Sequence, residues 1–281
     1  MFQQVTILGP GLLGASLAMA IKENSLAQKI VIWDQNKASR TKCKNQEWCD
    51  YISETPEAAV KNSDLVLICT PVQTIISILQ QIQPTLAKNA LVTDIGSTKA
   101  SICDAAQKIF ENSQATFIGS HPMTGSEKTG MDHARPNLFE NAACILTPSP
   151  STPDSTIDRI RVFWTSLKMN ISITSPEVHD RIVAHVSHLP HVLASALCAY
   201  LSTKDHNWMH LAGGGLHDTT RIAAGNPELW VHILEQNRDE LLKSINGFQS
   251  QLDRLKTLLK DNNCTEIKSL LEQGKVYRDQ F

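Results

Sequence analysis

Three glycines near the amino terminus constrain this chain more than any other residues. Gly9-Pro10-Gly11-Leu12-Leu13-Gly14 spells G-x-G-x-x-G directly after the apolar run Val5-Thr6-Ile7-Leu8 and at the head of a helix-like stretch, Leu12 to Glu23. In that setting Gly9 permits a tight turn, Gly11 lets a pyrophosphate approach the backbone, and Gly14 lets helix and strand pack closely. The first helical N–H groups, at Leu12 and Leu13, then face the phosphates with the positive end of the helix dipole. Asp34 closes the next apolar run, Lys29-Ile30-Val31-Ile32-Trp33, 20 residues after Gly14. A carboxylate there accepts hydrogen bonds from ribose hydroxyls and repels a 2′-phosphate, so the cofactor expected is NAD rather than NADP. Lys37 and Arg40 lie just beyond and leave accommodation of a phosphate open. A glycine-rich turn in an unrelated fold is the other reading, and the strand context with Asp34 opposes it.

The same alternation continues. Leu65 to Cys69, Ala90 to Ile95, Thr116 to Gly119, Ala143 to Leu146 and Ile171 to Thr174 are further short apolar runs, most of them separated by helical patterns. Runs apolar on both faces fit buried parallel strands. The fold class expected is α/β, a doubly wound Rossmann-type parallel sheet followed by an all-α C-terminal domain. Beyond residue 174 the pattern is helical only, which divides the chain into a dinucleotide-binding domain, 1–174, and a helical substrate-binding and dimerisation domain, 175–281. Pro190 is expected to kink the helix that Ser175-Pro176 starts. Leu241, Ile245, Phe248, Leu252, Leu255 and Leu259 recur at spacings of four and three, a seam for an intrachain core or for a homodimer.

Composition excludes several classes. With 26 basic and 28 acidic side chains the net charge is −2, so no nucleic-acid or anionic-membrane partner is expected. No apolar run approaches the ~20 residues that cross a bilayer. The seven cysteines lack metal-ligand spacing, and a reducing, cytoplasmic location fits them best. His188 and His191 as a metal pair are opposed by Pro190 between them and the lack of an acidic partner, so no metal is expected.

The chemistry is expected at the carboxyl ends of the strands, where open α/β sheets bind ligands. Thr70-Pro71 and Gly96-Ser97 fall there and are candidates to line the nicotinamide half of the site. His121 follows Phe117-Ile118-Gly119-Ser120 on the same edge. Its ordinary pKa of ~6.5 suits a group that takes a hydroxyl proton as hydride leaves. On residues alone, Arg221 reads as a helix-end partner for Asp218 or Glu228. His185 and His188 read as core or interface histidines, and Gly213 to Gly215 as an interhelix turn.

Five segments together resemble the prephenate and arogenate dehydrogenases of tyrosine biosynthesis. They are Thr93-Asp94-Ile95-Gly96-Ser97-Thr98-Lys99, Gly119-Ser120-His121-Pro122-Met123-Thr124-Gly125-Ser126-Glu127-Lys128-Thr129-Gly130, Ser187-His188-Leu189-Pro190-His191, Gly213 to Ala223 with Asp218-Thr219-Thr220-Arg221, and Pro227-Glu228-Leu229-Trp230. The resemblance implies oxidative decarboxylation of a cyclohexadiene acid with NAD. It implies that His121 accepts the ring hydroxyl's proton, that Ser97 holds the same hydroxyl and orients His121, and that Arg221 binds the ring carboxylate. His191 would sit near the substrate side chain, with Ser126 and Glu127 contacting or closing the pocket. Glu127-Lys128 resembles forms that take prephenate, and Gly225-Asn226 offers no extra acid for arogenate's ammonium. Tyrosine is expected to act, if at all, at the active site, since the chain ends at Phe281. Two other readings are carried. A β-hydroxyacid or imine oxidoreductase is opposed by the absence of a lysine between Pro176 and Lys204, and a non-catalytic NAD sensor by Ser97, His121 and Arg221 together.

Overall fold

The computed structural model describes residues 1–125 and 128–280. Strands β1 (Phe2–Leu8), β2 (Ala27–Trp33), β3 (Tyr51–Ile52), β4 (Leu65–Ile68), β5 (Leu91–Asp94) and β6 (Thr116–Phe117) form one six-stranded sheet. All its pairings are parallel, in the order β3-β2-β1-β4-β5-β6. The order reverses between β1 and β4, which opens a crevice beyond their carboxyl ends. Alternation along each strand divides the core in two. Val5, Ile7, Ile30, Ile32, Leu65 and Leu67 face one cluster, with α1 (Leu12–Glu23) and α6 (Asp154–Ser166) packed on it. Leu8, Val31, Val66, Ile68 and Val92 face the other, covered by α3 (Pro56–Val60), α4 (Val72–Ile82) and α5 (Ala100–Ile109). At about 1.5–3 kcal/mol per large aliphatic side chain removed from water, these two layers dominate the stability of the sheet.

The later strands depart from the expected single parallel sheet. Strands β7 (Gly119–Pro122), β8 (Ala143–Thr147) and β9 (Asn170–Ile173) make a second, three-stranded sheet, with β7 antiparallel to β8 and β8 parallel to β9. The Ile118 N–H still bonds the Val92 carbonyl at 2.9 Å, and the chain then crosses from one sheet to the other. Gly119 makes the crossing possible: a Cβ there would lie 2.4 Å from Thr147 Oγ1 and 3.0 Å from the Lys99 side chain. His121 therefore lies within a strand of the second sheet and not at the end of a strand of the first.

After Ile173 every element is helical. Helices α7 (Pro176–Val183) and α8 (Leu189–Leu201) are joined by a π-helical turn, Ala184–His188, into one 26-residue helix. Pro190, expected to kink this helix, falls in the first turn of α8 directly after the π turn, so the regular winding is altered beside it. This helix is long and apolar enough, by length and composition, to cross a membrane, contrary to the expectation above. That expectation counted unbroken apolar runs, and the histidines and charges of this helix interrupt any such run. Of these, His179, Asp180, His188 and His191 are buried, while Glu177, Arg181 and His185 are exposed. Helices α2 (Lys37–Cys43), α9 (Gly214–Thr220) and α10 (Pro227–Gln236) complete the first of two compact units, Met1–Asn237. The second begins at Arg238 and holds α11 (Arg238–Lys260) and α12 (Cys264–Arg278), joined by an Arg254–Glu266 ion pair at 3.4 Å. In the leucine seam of α11, Leu241 is buried, Ile245, Phe248 and Leu255 are half-buried, and Leu252 and Leu259 are exposed.

Candidate active site

The glycine turn closes the carboxyl end of β1. Gly9 has φ +92°, a conformation that favours glycine, and a Cβ on it would meet Thr70 Cγ2 at 2.9 Å. A Cβ on Gly14 would lie 2.2 Å from the Gly9 carbonyl oxygen, so α1 packs on the turn only without a side chain there. Gly11, by contrast, has no atom within 4 Å of its Cβ position. Open space beside Gly11, the uncapped N-terminus of α1 with half-buried Leu12 and Leu13, and a buried Thr70 Oγ1 without a hydrogen bond among the described residues together fit a dinucleotide pyrophosphate. Pro71 is exposed and precedes α4.

Asp34 follows β2 on the same edge, half-buried, with its Oδ1 accepting the Asn36 N–H at 2.7 Å. Burial raises its carboxyl above the ordinary value, opposed by the Asn36 N–H and by Arg40. Arg40 is committed elsewhere. Its guanidinium donates to the carbonyls of Asp34 and Gln35 at 2.6 and 3.3 Å and pairs with Glu54 at 2.9 Å. These bonds hold it away from the role of a phosphate ligand, and the acid at position 34 favours a free ribose.

His121 is 7% exposed, and its Nδ1 lies 2.8 Å from Nε2 of His179 on α7. His179 Nδ1 in turn lies 2.8 Å from Asp180 Oδ1. The Asp180 carboxylate accepts the backbone N–H of Lys99 at 2.8 Å and of Ala100 at 2.9 Å, capping α5 from another helix. Burial, then the neighbouring His179, Lys99 and His188, holds the His121 imidazole well below its ordinary pKa, so it is neutral. Burial also lowers His179, against the opposing pull of Asp180.

Beneath this pair lies a fully buried ion pair between Lys99 and Asp94. The same Asp94 carboxylate accepts the Gly96 N–H at 2.8 Å and the Ser120 N–H at 3.3 Å. One acid thus fixes both the turn that carries Ser97 and the residue before His121. Ser97 is half-buried beyond β5, and Thr98 bonds Gln236 at 2.6 Å. His188 is fully buried, pushed down to about 4 chiefly by burial, with Nδ1 3.1 Å from Asn237 Nδ2. His185 is exposed and bonds the Arg181 carbonyl.

His191 is buried on α8 and stacks on Trp230 at 3.4 Å between ring centroids, 10° from parallel; burial lowers its pKa. A Cβ on Gly225 would lie 3.2 Å from His191 Cε1 and 2.7 Å from Trp230 Nε1, so the turn after Arg221–Ala224 presses on this stack. Arg221 is exposed at the start of that 3-10 turn. Ser126 and Glu127 lie outside the described residues. Among the described residues no group of three metal-ligating side chains converges. Sequence reasoning missed His179, Asp180, Asn237 and the Lys99–Asp94 pair. The signal available for the first two was their place on the buried face of α7 with Val183.

The chain matches two family descriptions in succession: prephenate dehydrogenase, nucleotide-binding domain, over residues 17–173, and prephenate dehydrogenase, dimerization domain, over residues 175–273. It is 30% identical to a prephenate dehydrogenase of Bacillus subtilis over 98% of this chain and 75% of that protein. It is 32% identical to a cyclohexadienyl dehydrogenase of Zymomonas mobilis over 92% of this chain and 89% of that protein. A crystal structure of prephenate dehydrogenase from A. aeolicus with hydroxyphenyl propionate and NAD+ superposes with a TM-score of 0.92, at 30% identity, covering 100% of this chain and 98% of that one. A Synechocystis arogenate dehydrogenase gives 0.85 at 30% identity, over 99% of both chains.

Proposed function

The chain belongs to the prephenate dehydrogenase family and is an NAD-dependent oxidoreductase, and from that premise we propose that prephenate is its preferred substrate and 4-hydroxyphenylpyruvate its product. The observation that carries the chemistry is His121, a buried, neutral imidazole on the first residues beyond the parallel sheet. Bound NAD supplies the acceptor for the hydride that leaves the ring carbon bearing the hydroxyl. His121 takes the hydroxyl proton as that carbon becomes a carbonyl, and being neutral it is in the form that can do so. Loss of the ring carboxylate as carbon dioxide then restores aromaticity, which drives the reaction forward. Ser97, on the turn held by Asp94, would hold the same hydroxyl. Arg221 would bind the ring carboxylate through its planar fork. His191, held flat by Trp230, would line the side-chain end of the pocket, and Ser126 and Glu127, outside the described residues, would contact or close it. Asp34 would hold the ribose.

Support for the substrate comes from the relatives that are prephenate dehydrogenases and from the A. aeolicus complex, whose hydroxyphenyl propionate combines a phenol with a carboxylate-bearing side chain as the proposed product does. The arogenate reading is favoured by one observation, the equally long match to the Synechocystis enzyme. Steady-state rates at the reduced-nicotinamide absorbance band, with prephenate and arogenate each paired with NAD and NADP, separate the two. Prephenate with NAD is expected to give the largest kcat/KM. Equal or higher kcat/KM with arogenate would overturn the preference. Cofactor binding without turnover of either acid would overturn the assigned reaction. We further propose a homodimer built through the helical residues after 175, supported by the dimerization-domain match and by exposed apolar side chains there.

A further inference from the structure

We propose that His179 and Asp180 are positioning residues for the reaction, a relay that holds His121 in the tautomer whose Nε2 is unprotonated. The inference rests on the reading of His121 as the proton acceptor, and it begins at the far end of the chain of contacts. Asp180 is 3% exposed, and each of its oxygens accepts a backbone N–H from the start of α5, which leaves both oxygens in the role of acceptors. A carboxylate only accepts hydrogen bonds. The nitrogen 2.8 Å from it, His179 Nδ1, must therefore carry a hydrogen. In a neutral imidazole the other nitrogen is then an acceptor, so His179 Nε2 accepts. The group it faces at 2.8 Å, His121 Nδ1, must donate. His121 Nε2 is left with its lone pair, ready for a hydroxyl proton. Each step follows from the one before, because the hydrogen bond at one ring nitrogen sets the protonation of the other.

The surroundings leave this as the path by which charge on His121 is balanced. His121 faces His179 on α7, His188 on the π turn and Lys99 at the head of α5, and no carboxylate bonds it directly among the described residues. Lys99 is matched by Asp94. When His121 accepts a proton at Nε2, its Nδ1–H stays with His179, and Asp180 opposes the new positive charge from beyond that ring. His179 Nε2 and Nδ1, both used, make its ring a spacer of fixed length between acid and base.

Nitrogen-resolved NMR of the histidines in the wild-type apoprotein reads the arrangement directly. His121 and His179 are both expected as Nδ1–H tautomers at neutral pH, and an Nε2–H tautomer on His121 would overturn the proposal. Variants then ask whether the arrangement matters. His179→Leu, which removes the acceptor, is expected to lower kcat roughly 100-fold while KM stays within about threefold. His179→Gln, whose amide oxygen can still accept from His121 Nδ1, is expected to recover most of that loss. Asp180→Asn is expected to lower the plateau of kcat/KM and to move its acid limb to lower pH, since the lost charge no longer favours protonated His121. Melting temperature and NAD affinity by fluorescence quenching identify variants that fold. Folded His179→Leu and Asp180→Asn enzymes with wild-type kcat, beside an impaired His121→Asn, would overturn the relay alone. Wild-type kcat in His121→Asn would instead overturn the reading beneath it.

Discussion

In the proposed reaction Arg221 and His121 would contribute at different moments, and their settings in the structure differ accordingly. His121 is sealed and neutral, suited to a bond that matters as the hydroxyl loses its proton. Arg221 is exposed on a turn, where a guanidinium can meet a substrate carboxylate on arrival. A contact made in the ground state and kept in the transition state contributes to binding and not to turnover. Arg221→Ala is therefore expected to raise the KM for prephenate about 10- to 100-fold with kcat nearly unchanged, the loss of a charge-assisted bidentate pair. A KM like that of the parent enzyme would remove Arg221 from the carboxylate. At this scale the sequence disclosed what local order can disclose. His121 was legible because it follows an apolar run, although that run leads into the second sheet and does not end a strand of the first. His179 and Asp180 were not, because 58 residues separate His179 from His121 and an adjacent His-Asp pair on a helix is ordinarily a solvated one. Lys99 stood in a recognised motif, yet its full burial follows only from the crossing of the chain at Gly119.

Among the elements, the β1 turn and α1 show why glycines of one motif are not interchangeable. Gly9 and Gly14 are closed in by protein atoms, whereas Gly11 opens on space that the described chain does not fill. Gly11→Ala should leave the apoprotein's stability within about 0.5 kcal/mol of the parent. Its methyl group stands where a pyrophosphate would pass, so the Kd for NAD should rise about tenfold, or 1.4 kcal/mol. Chemical denaturation and fluorescence titration measure the two effects, and an unaltered Kd would place the cofactor elsewhere. The parallel sheet was readable from runs of buried residues, since each strand must be apolar on both faces. The second sheet was not, because period and composition do not say which neighbour a strand pairs with, and β7 and β8 look like further members of the first. The division of the chain by contacts falls at Asn237, where Asn237 Nδ2 bonds the Asp180 carbonyl at 2.7 Å.

For the molecule as a whole, the exposed apolar side chains of the helical residues decide what kind of surface it presents. Val178, Ile182 and Val186 follow one another at intervals of four on the long helix, 36%, 42% and 56% exposed. Trp208, Met209 and Leu211 lie open on the 3-10 turn His206–Leu211, and within the second unit so do Leu252, Leu259, Leu271 and Val276. Single exposed leucines are ordinary, but rows of them mark surfaces that another chain covers. Sedimentation equilibrium at micromolar concentration should report twice the mass of 31.1 kDa, and Ile182→Glu with Val186→Glu should shift it toward one. A parent protein that sediments as a monomer would contradict the homodimer. The π turn between α7 and α8 bears on this surface as well as on the chemistry. Successive residues of an α-helix advance by about 100°, and a π turn accommodates a residue more than regular winding would. Trimming one residue from Ala184–His188 would therefore swing everything downstream by roughly a quarter revolution relative to His179. His191 would be carried away from Trp230. A single surplus residue thus sets the clocking of one helix that, on the reading proposed above, would serve catalysis with one side and assembly with the other, and neither side could be re-timed alone.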